Sequence, residues 1–491
     1  MRTISKLVAV MQKLDAGVIS DSTAQEAFSY ELIKQRYLEM DDLQYLYNLF
    51  RIYFQNPTTP ASTILKSLNI SLEKLVDLQR VLQEASVIAD LWISLLYPRS
   101  LLMRYAYQLT RYLHLNPEFL SSAHQDSAQP HIYMLEIHPT NGLCIYACKM
   151  CLWCGGGQLK ARQIRASAGI DVLPTRSWIS VLDEAKDLGV ERIIVSGGGE
   201  TLLDQVKFRE VVLAAVRNGI EVLVYTNGRL LSRVDEETLD VILHTGWLRV
   251  SCHAATSEVY ARLVNRPVDS NDFQIVQAGV RRLIERRNAV HARLKVGLGT
   301  VLQEVNFSQL PLIVTLCENL GVDFLDLRAD CIGISQALKA EQSVLLLNDL
   351  RVIRGRYLDG GLPFHLTIAD DLQFKISQWS KMELTPSKRC WIPFLRPAID
   401  PFGTVCACDS IGEPYTRSVS PAKYVFGSCR DDSLRQLISR ASQETLGVWC
   451  QHCMPGQVAL NALFEKIVAD FKIGIRPCDQ PFFHRNIEGS N

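Results

Sequence analysis

Between residues 131 and 328, short apolar runs alternate six times with longer stretches of helical periodicity. The runs are HIYMLEI (131–137), RIIVS (192–196), EVLVYT (221–226), WLRVSC (247–252), LKVGLGTV (294–301) and DFLDLR (323–328). Stretches such as SWISVLDEAKDLG, with Ser177 as a candidate N-cap, and NDFQIVQAGVRRLIERR separate them. Six β-α repeats call for a parallel sheet covered by helices, either an open barrel or a doubly wound sheet. In both arrangements ligands bind at the carboxyl ends of the strands. Motifs that carry chemistry should therefore fall directly after strands.

The flanks read differently. Residues 1–125 are expected to form an all-helical domain, because segments such as SYELIKQRYLEMDDLQYLYNLFRIYF place apolar residues three and four apart. The polar stretch SSAHQDSAQP, residues 121–130, lacks an apolar stripe and reads as a linker. The barrel is expected over 130–335. A connecting helix from about Gln336 to Tyr357 then opens a third region, 336–491, whose later part is irregular and rich in Cys, Pro and Gly.

The chain has 14 cysteines, four of them between Cys144 and Cys154 and seven between Cys390 and Cys478. The N-terminus offers only a five-residue apolar run, Leu7 to Met11, too short for a secretory signal. No run of 18 uncharged apolar residues exists; the best, near Val87 to Tyr97, is broken by Asp90. These features imply a cytoplasmic chain with reduced thiols, in which clustered cysteines bind metal or act in catalysis rather than form disulfides. Lys+Arg and Asp+Glu both number 52, so there is no overall charge for nucleic acid or an acidic membrane to attract.

The first cluster reads TNGLCIYACKMCLWCGGG, with spacing Cys144-x3-Cys148-x2-Cys151-x2-Cys154, just after the first barrel run. Soft thiolates this close select an iron–sulfur cluster or zinc. Cys148, Cys151 and Cys154 have ferredoxin spacing, but glycine rather than proline follows Cys154. Cys144, Cys148 and Cys151 could instead hold three irons of a [4Fe–4S] cluster and leave the fourth open. Zinc bound by all four would be closed and compact, and would leave the later glycine motifs unexplained.

Here the chain resembles the radical S-adenosylmethionine enzymes. Cys144, Cys148 and Cys151 match their cluster motif, with Met150 where an aromatic residue is common. SGGGETLL, residues 196–203, matches the GGE motif at Gly198, Gly199 and Glu200; the resemblance implies that backbone groups and a carboxylate there meet the methionine ammonium. YTNGRLL resembles the family's TNG turn at Thr226, Asn227 and Gly228. The fourth run ends Ser251-Cys252-His253 where many members have serine-leucine-aspartate, so Ser251 carries over as a cofactor contact and the acid does not. The implied fold is α/β: a partial (β/α)6 barrel between an N-terminal all-helical domain and a C-terminal Cys-rich extension.

In that extension, CWIPFLRPAIDPFGTVCACDS has 12 residues between Cys390 and Gly403 and four between Gly403 and Cys408. With Cys450-Gln451-His452-Cys453 downstream, it resembles the twitch domain, the shorter relative of SPASM. The match implies an auxiliary [4Fe–4S] cluster on Cys390, Cys408, Cys450 and Cys453, with Cys406 as the alternative to Cys408. A turn near Gly403 could bring Cys408 back toward Cys390. Only Cys478 follows, so a second auxiliary cluster is not expected; a four-cysteine zinc ribbon is the competing reading.

The implied activity is reductive cleavage of S-adenosylmethionine to a 5′-deoxyadenosyl radical that abstracts hydrogen from a substrate, giving dehydrogenation, elimination or epimerisation. An external one-electron reductant, flavodoxin- or ferredoxin-like, is implied as a partner. Twitch-bearing relatives act on sugars and aminocyclitols. SPASM relatives modify peptides, often with an N-terminal winged-helix domain, and the helix-only N-terminus here favours a small polar substrate. Glu136, His138, His253, Arg328 and Asp330 lie at strand ends as candidates to face it, any of the carboxylates or imidazoles being able to take a proton. The alternatives are a peptide-modifying maturase and a zinc-stabilised, non-enzymatic interaction protein.

Overall fold

The computed structural model describes residues 17–56, 58–85, 100–124, 130–151, 171–329, 338–369, 390–412, 424–444 and 455–483, except 34–41, 141, 142 and 149, with 10, 13, 14 and 372 besides. Cys154, Asp330, Cys450 and Cys453 lie outside the described residues. The chain divides into two compact units. One gathers the N-terminal residues to 128 with those from 455 onward, and the other holds most of 129–454. The third region expected from the sequence is therefore shared out: its first part joins the sheet, and its last part joins the N-terminal helices.

The described secondary structure of the first unit is helical. Leu43–Gln55 shows why. Leu43, Leu46, Tyr47, Phe50 and Tyr53 recur at three- and four-residue spacing, and all are buried. Phe28 packs edge-on against Tyr47 with ring centroids 5.4 Å apart. The C-terminal helix Pro455–Lys472 adds Phe464, which meets Phe119 edge-on at 5.5 Å, and Phe482 meets Tyr53 at 5.6 Å. Each buried aromatic contributes roughly 1.5–3 kcal/mol, so the two ends of the chain share one core. The helix Pro117–His124 extends into the expected linker.

The second unit is an open sheet of ten strands: β1 (Met134–Ile137), β2 (Arg192–Val195), β3 (Glu221–Thr226), β4 (Trp247–Ser251), β5 (Lys295–Leu302), β6 (Phe324–Ala329), β7 (His365–Ile368), β8 (Ala398–Ile399), β9 (Thr404–Cys406) and β10 (Val425–Ser428), in the order β10-β9-β8-β1-β2-β3-β4-β5-β6-β7. From β1 to β7 the strands are parallel and neighbours follow chain order. A doubly wound sheet reverses that order at its switch point, so this is the singly wound arrangement of an open barrel. Helices such as Thr175–Asp187 and Asp272–Ala289 cover the outside. The first begins after Pro174, two residues before the expected cap at Ser177.

The sheet is longer than six repeats. The helix Ala340–Leu358 leads to β7, a four-residue strand too short to stand out in the sequence. Beyond it, β8 pairs parallel with β1, and β9 and β10 follow antiparallel. The β8–β9 hairpin turns at Asp400 to Gly403, where Asp400 Oδ1 accepts from the Phe402 and Thr404 amides at 2.8 Å and Gly403 has φ +91°. The expected turn before Cys408 is thus present. No helix among the described residues is long and apolar enough to cross a membrane.

Candidate active site at the carboxyl ends of the strands

A cleft of about 260 Å3 opens where β1 to β6 end. Its rim carries Cys144, Cys148 and Cys151, with Met150 beside them. All three thiols are half-buried. Burial pushes the Cys144 thiol up to about 11, with Glu200 and Cys151 adding to the rise, and burial with its two neighbouring cysteines pushes Cys148 up as well. The Tyr146 amide and Asn227 Nδ2 point at Cys144 Sγ from 3.4 and 3.5 Å.

No three His, Cys, Asp or Glu side chains among the described residues are grouped to hold a single metal ion. Thiolates of an iron–sulfur cluster bind different irons and need not meet at one ion. Three soft donors on one cleft, one of them already offered N–H groups, fit such a cluster by their chemistry.

After β2 the chain turns through Gly197, Gly198 and Gly199, all at positive φ. A Cβ at Gly197 would lie 2.6 Å from the His138 ring, and one at Gly198 would lie 2.4 Å from Pro401 of the hairpin. Only glycine satisfies both the backbone and the space. Glu200 follows, buried, its amide donating to Leu143 O at 2.7 Å. Its carboxylate accepts from Thr226 Oγ1, the Asn227 amide at 2.8 Å and the Leu202 amide at 3.1 Å. Burial raises its pKa and those hydrogen bonds oppose the rise. Glu200 therefore ties the glycine turn to the turn after β3, and both turns line the cleft.

Along β4 exposure alternates residue by residue, and Arg249 and Ser251 face the cleft. His253, just beyond, is also on its wall. Its Nδ1 accepts from the Val301 amide at 3.2 Å, and Asn306 Nδ2 donates to its carbonyl at 2.6 Å. Burial, helped by the nearby Arg249 charge, lowers its pKa to about 4. The imidazole is neutral near pH 7 and carries its proton on Nε2. Arg328 of β6 lines the cleft too.

Glu136 is not on the cleft wall as described. It is buried behind the glycine turn, accepting from Ser196 Oγ at 2.5 Å, with His138 Nε2 at 3.6 Å and Arg396 Nε at 3.7 Å. Burial would raise its pKa, but the neighbouring His138, the Arg396 charge and the Ser196 hydrogen bond prevail and hold it at about 2. The expected substrate-facing acid is thus a buried ion-pair partner. His138 shares that cluster. The sequence reading missed Tyr225, Arg249 and Asp326, which line the cleft from within the barrel. The signal available was a charged residue at alternate, inward positions of β4 and β6 (LRV, LDL) beside two glycines in β5.

In the C-terminal extension, Cys390 and Cys408 are half-buried, whereas Cys406 is fully buried within β9. Arg396 Nη2 donates to Asp409 Oδ2 at 2.8 Å, anchoring the segment just after Cys408.

Residues 143–310 match the family model of the Radical SAM superfamily. The chain thus carries a radical SAM domain, the domain of enzymes that use a [4Fe–4S] cluster and S-adenosylmethionine. Among solved structures it is similar to Streptococcus suis SuiB bound to S-adenosylmethionine, with 16% identity and a TM-score of 0.42 over 57% of this chain and 61% of SuiB. It is also similar to anSMEcpe with bound AdoMet, with 12% identity and a TM-score of 0.45 over 70% of this chain and 92% of that one. The chain spans less than two thirds of the SuiB chain. No curated protein matches the sequence.

Proposed function

We propose that the cleft is the reaction centre of a radical SAM enzyme that abstracts hydrogen from a small polar substrate such as a sugar or aminocyclitol derivative. The observation that carries this reading is the convergence of Cys144, Cys148, Cys151, the glycine turn and Asn227 on one small cleft. Bound there, the cluster and S-adenosylmethionine supply one-electron cleavage to a 5′-deoxyadenosyl radical, the electron coming from a flavodoxin- or ferredoxin-like reductant.

The chain's own residues then have separate tasks. Cys144, Cys148 and Cys151 hold the cluster, and the Asn227 and Tyr146 N–H groups stabilise the Cys144 thiolate. Gly198, Gly199 and the Glu200-braced turn receive the methionine end, with Thr226 and Ser251 contributing hydroxyls. His253, neutral at physiological pH, donates a hydrogen bond from Nε2 rather than accepting a proton. Arg328 faces substrate. Glu136 acts as a positioning residue, holding Ser196 and the start of the glycine turn. Cys390, Cys408, Cys450 and Cys453 hold an auxiliary cluster that accepts the second electron of an oxidation; the accessibility of Cys408 relative to Cys406 supports that choice.

Anaerobic reconstitution with iron and sulfide tests the proposal. The expected result is about eight irons per chain, two clusters' worth, and 5′-deoxyadenosine on reduction with S-adenosylmethionine. Zinc retention with no iron uptake would overturn it.

A further inference from the structure

Below the rim, β4, β5 and β6 turn alternate residues inward: Arg249, Ser251, Gly299, Val301, Asp326 and Arg328 all reach the cleft. Barrel interiors are ordinarily filled by branched apolar side chains. This one has a floor of aromatic rings and a charged layer above it. Trp247 stacks on Tyr225 at 5.2 Å and meets Phe324 edge-on at 5.6 Å. Glycines in β5 clear the space. A Cβ at Gly297 would lie 2.3 Å from the Phe324 ring, and one at Gly299 would lie 2.7 Å from Arg249 Nε.

The charged layer is not closed on itself. The Arg249 guanidinium lies 3.6 Å from the Tyr225 ring centroid, which fixes its plane. Its Nη1 stands 3.7 Å from Asp326 Oδ2, beyond hydrogen-bond distance. Arg249 Nε and Nη1 and Asp326 Oδ1 are buried and find no hydrogen-bond partner among the described residues. Leaving such groups unpaired is costly, and a barrel built only for packing would not carry them. Two guanidiniums, Arg249 and Arg328, face the cleft with one carboxylate, Asp326, while the Glu200 carboxylate is engaged by three donors.

We propose that Arg249 and Asp326 form a substrate anchor for a carboxylate with an adjacent amine or hydroxyl, as in a hydroxy acid or amino acid. Arg249 takes the carboxylate in charge-assisted hydrogen bonds, and Asp326 accepts from the neighbouring N–H or O–H. The Asp326 charge disfavours a dianionic phosphate. The anchor rests on reading this cleft as the reaction centre, and it narrows the small polar substrates proposed for it to acidic ones, such as a sugar acid, and away from cationic aminocyclitols. The amino acid end of S-adenosylmethionine belongs with the cysteine rim and the glycine turn, so the two carboxylate sites are distinct.

The test uses the full chain after reconstitution, with D-gluconate as probe and D-glucitol and 2-deoxystreptamine as its uncharged and cationic counterparts. Calorimetry in the presence of S-adenosylmethionine should show gluconate binding at least about tenfold more tightly than either. Arg249→Met should remove that preference while leaving the Kd of S-adenosylmethionine within about twofold, and should not lower the Tm of the ligand-free protein. Asp326→Asn, which keeps the side-chain shape, should weaken gluconate by a smaller factor. Equal binding of gluconate and glucitol would overturn the anchor. So would a parallel loss of S-adenosylmethionine affinity, or a large drop in Tm, which would make the pair a cofactor contact or a packing element. The radical reading fails separately, by absence of iron and 5′-deoxyadenosine, because gluconate binding is measured without turnover.

Discussion

Each unit of this protein shields an ion pair from solvent, fully in the helical unit and in part in the barrel, and the two are built in opposite ways. In the helical unit, Lys466 and Asp470 are 0% and 1% exposed. Lys466 Nζ donates to Asp470 and, at 2.7 Å, to Gln480 Oε1; Gln480 Nε2 returns to Asp470 at 2.9 Å, and the Ala61 amide donates to the other carboxylate oxygen at 2.8 Å. In the barrel, Arg249 and Asp326 stop 3.7 Å apart with atoms unpartnered. A closed network fastens the C-terminal helix to the N-terminal ones. An open pair at a cleft keeps its hydrogen-bonding capacity for a ligand. A shielded charge whose partners are incomplete is therefore the one that points to a ligand of its own.

The largest effect should come from breaking the closed network. Asp470→Ala leaves Lys466 buried without its counterion and should cost about 3–5 kcal/mol, read by denaturant unfolding of the full chain. A loss under about 1 kcal/mol would remove the contrast with the barrel pair. Acid should come next. His253 sits at about 4 in the fold against 6.5 when free, so the unfolded chain takes up the proton first. Its contribution, on the order of 3 kcal/mol, is complete above pH 6.5 and disappears as pH falls toward 4. Glu136, held at about 2 against 4.5, acts in the same direction at lower pH. His253→Asn should flatten the first part of the stability–pH curve, and an unchanged slope would assign the titration elsewhere.

Glu200→Gln places an N–H where only donors point and should cost about 1–2 kcal/mol and weaken S-adenosylmethionine, measured by titration. Unaltered affinity would separate Glu200 from the cofactor turn. The smallest expected effect belongs to Gly299→Ala. Its methyl meets the flexible Arg249 side chain, so stability should fall by only about 1 kcal/mol while gluconate binding suffers. Equal gluconate binding would mean that Arg249 need not cross β5 where it does.

Much of the site could be read in the sequence because local motifs follow strands. The cysteine spacing, the glycine turn and Thr226-Asn227 are contiguous, and the fold has only to bring their strands together. Other parts were harder to read for physical reasons. Which core the helix Pro455–Lys472 joins depends on contacts hundreds of residues away, such as Ala61 with Asp470. Glu136 at the end of β1 faces the β8 side, where Arg396 lies, and no strand-end rule distinguishes that from facing the cleft. Arg249 and Asp326 were hidden because each sits singly in a strand, and their meaning appears only when Gly297 and Gly299 are seen between them.

The most direct test is an EPR titration of the reduced Cys390→Ser/Cys408→Ser variant, which removes auxiliary-cluster ligands and leaves the cleft intact. About four irons should remain, S-adenosylmethionine should shift the signal, and 5′-deoxyadenosine should form. A variant that retains iron but shows no spectral response to S-adenosylmethionine and no 5′-deoxyadenosine would contradict the assignment of the radical centre to Cys144, Cys148 and Cys151.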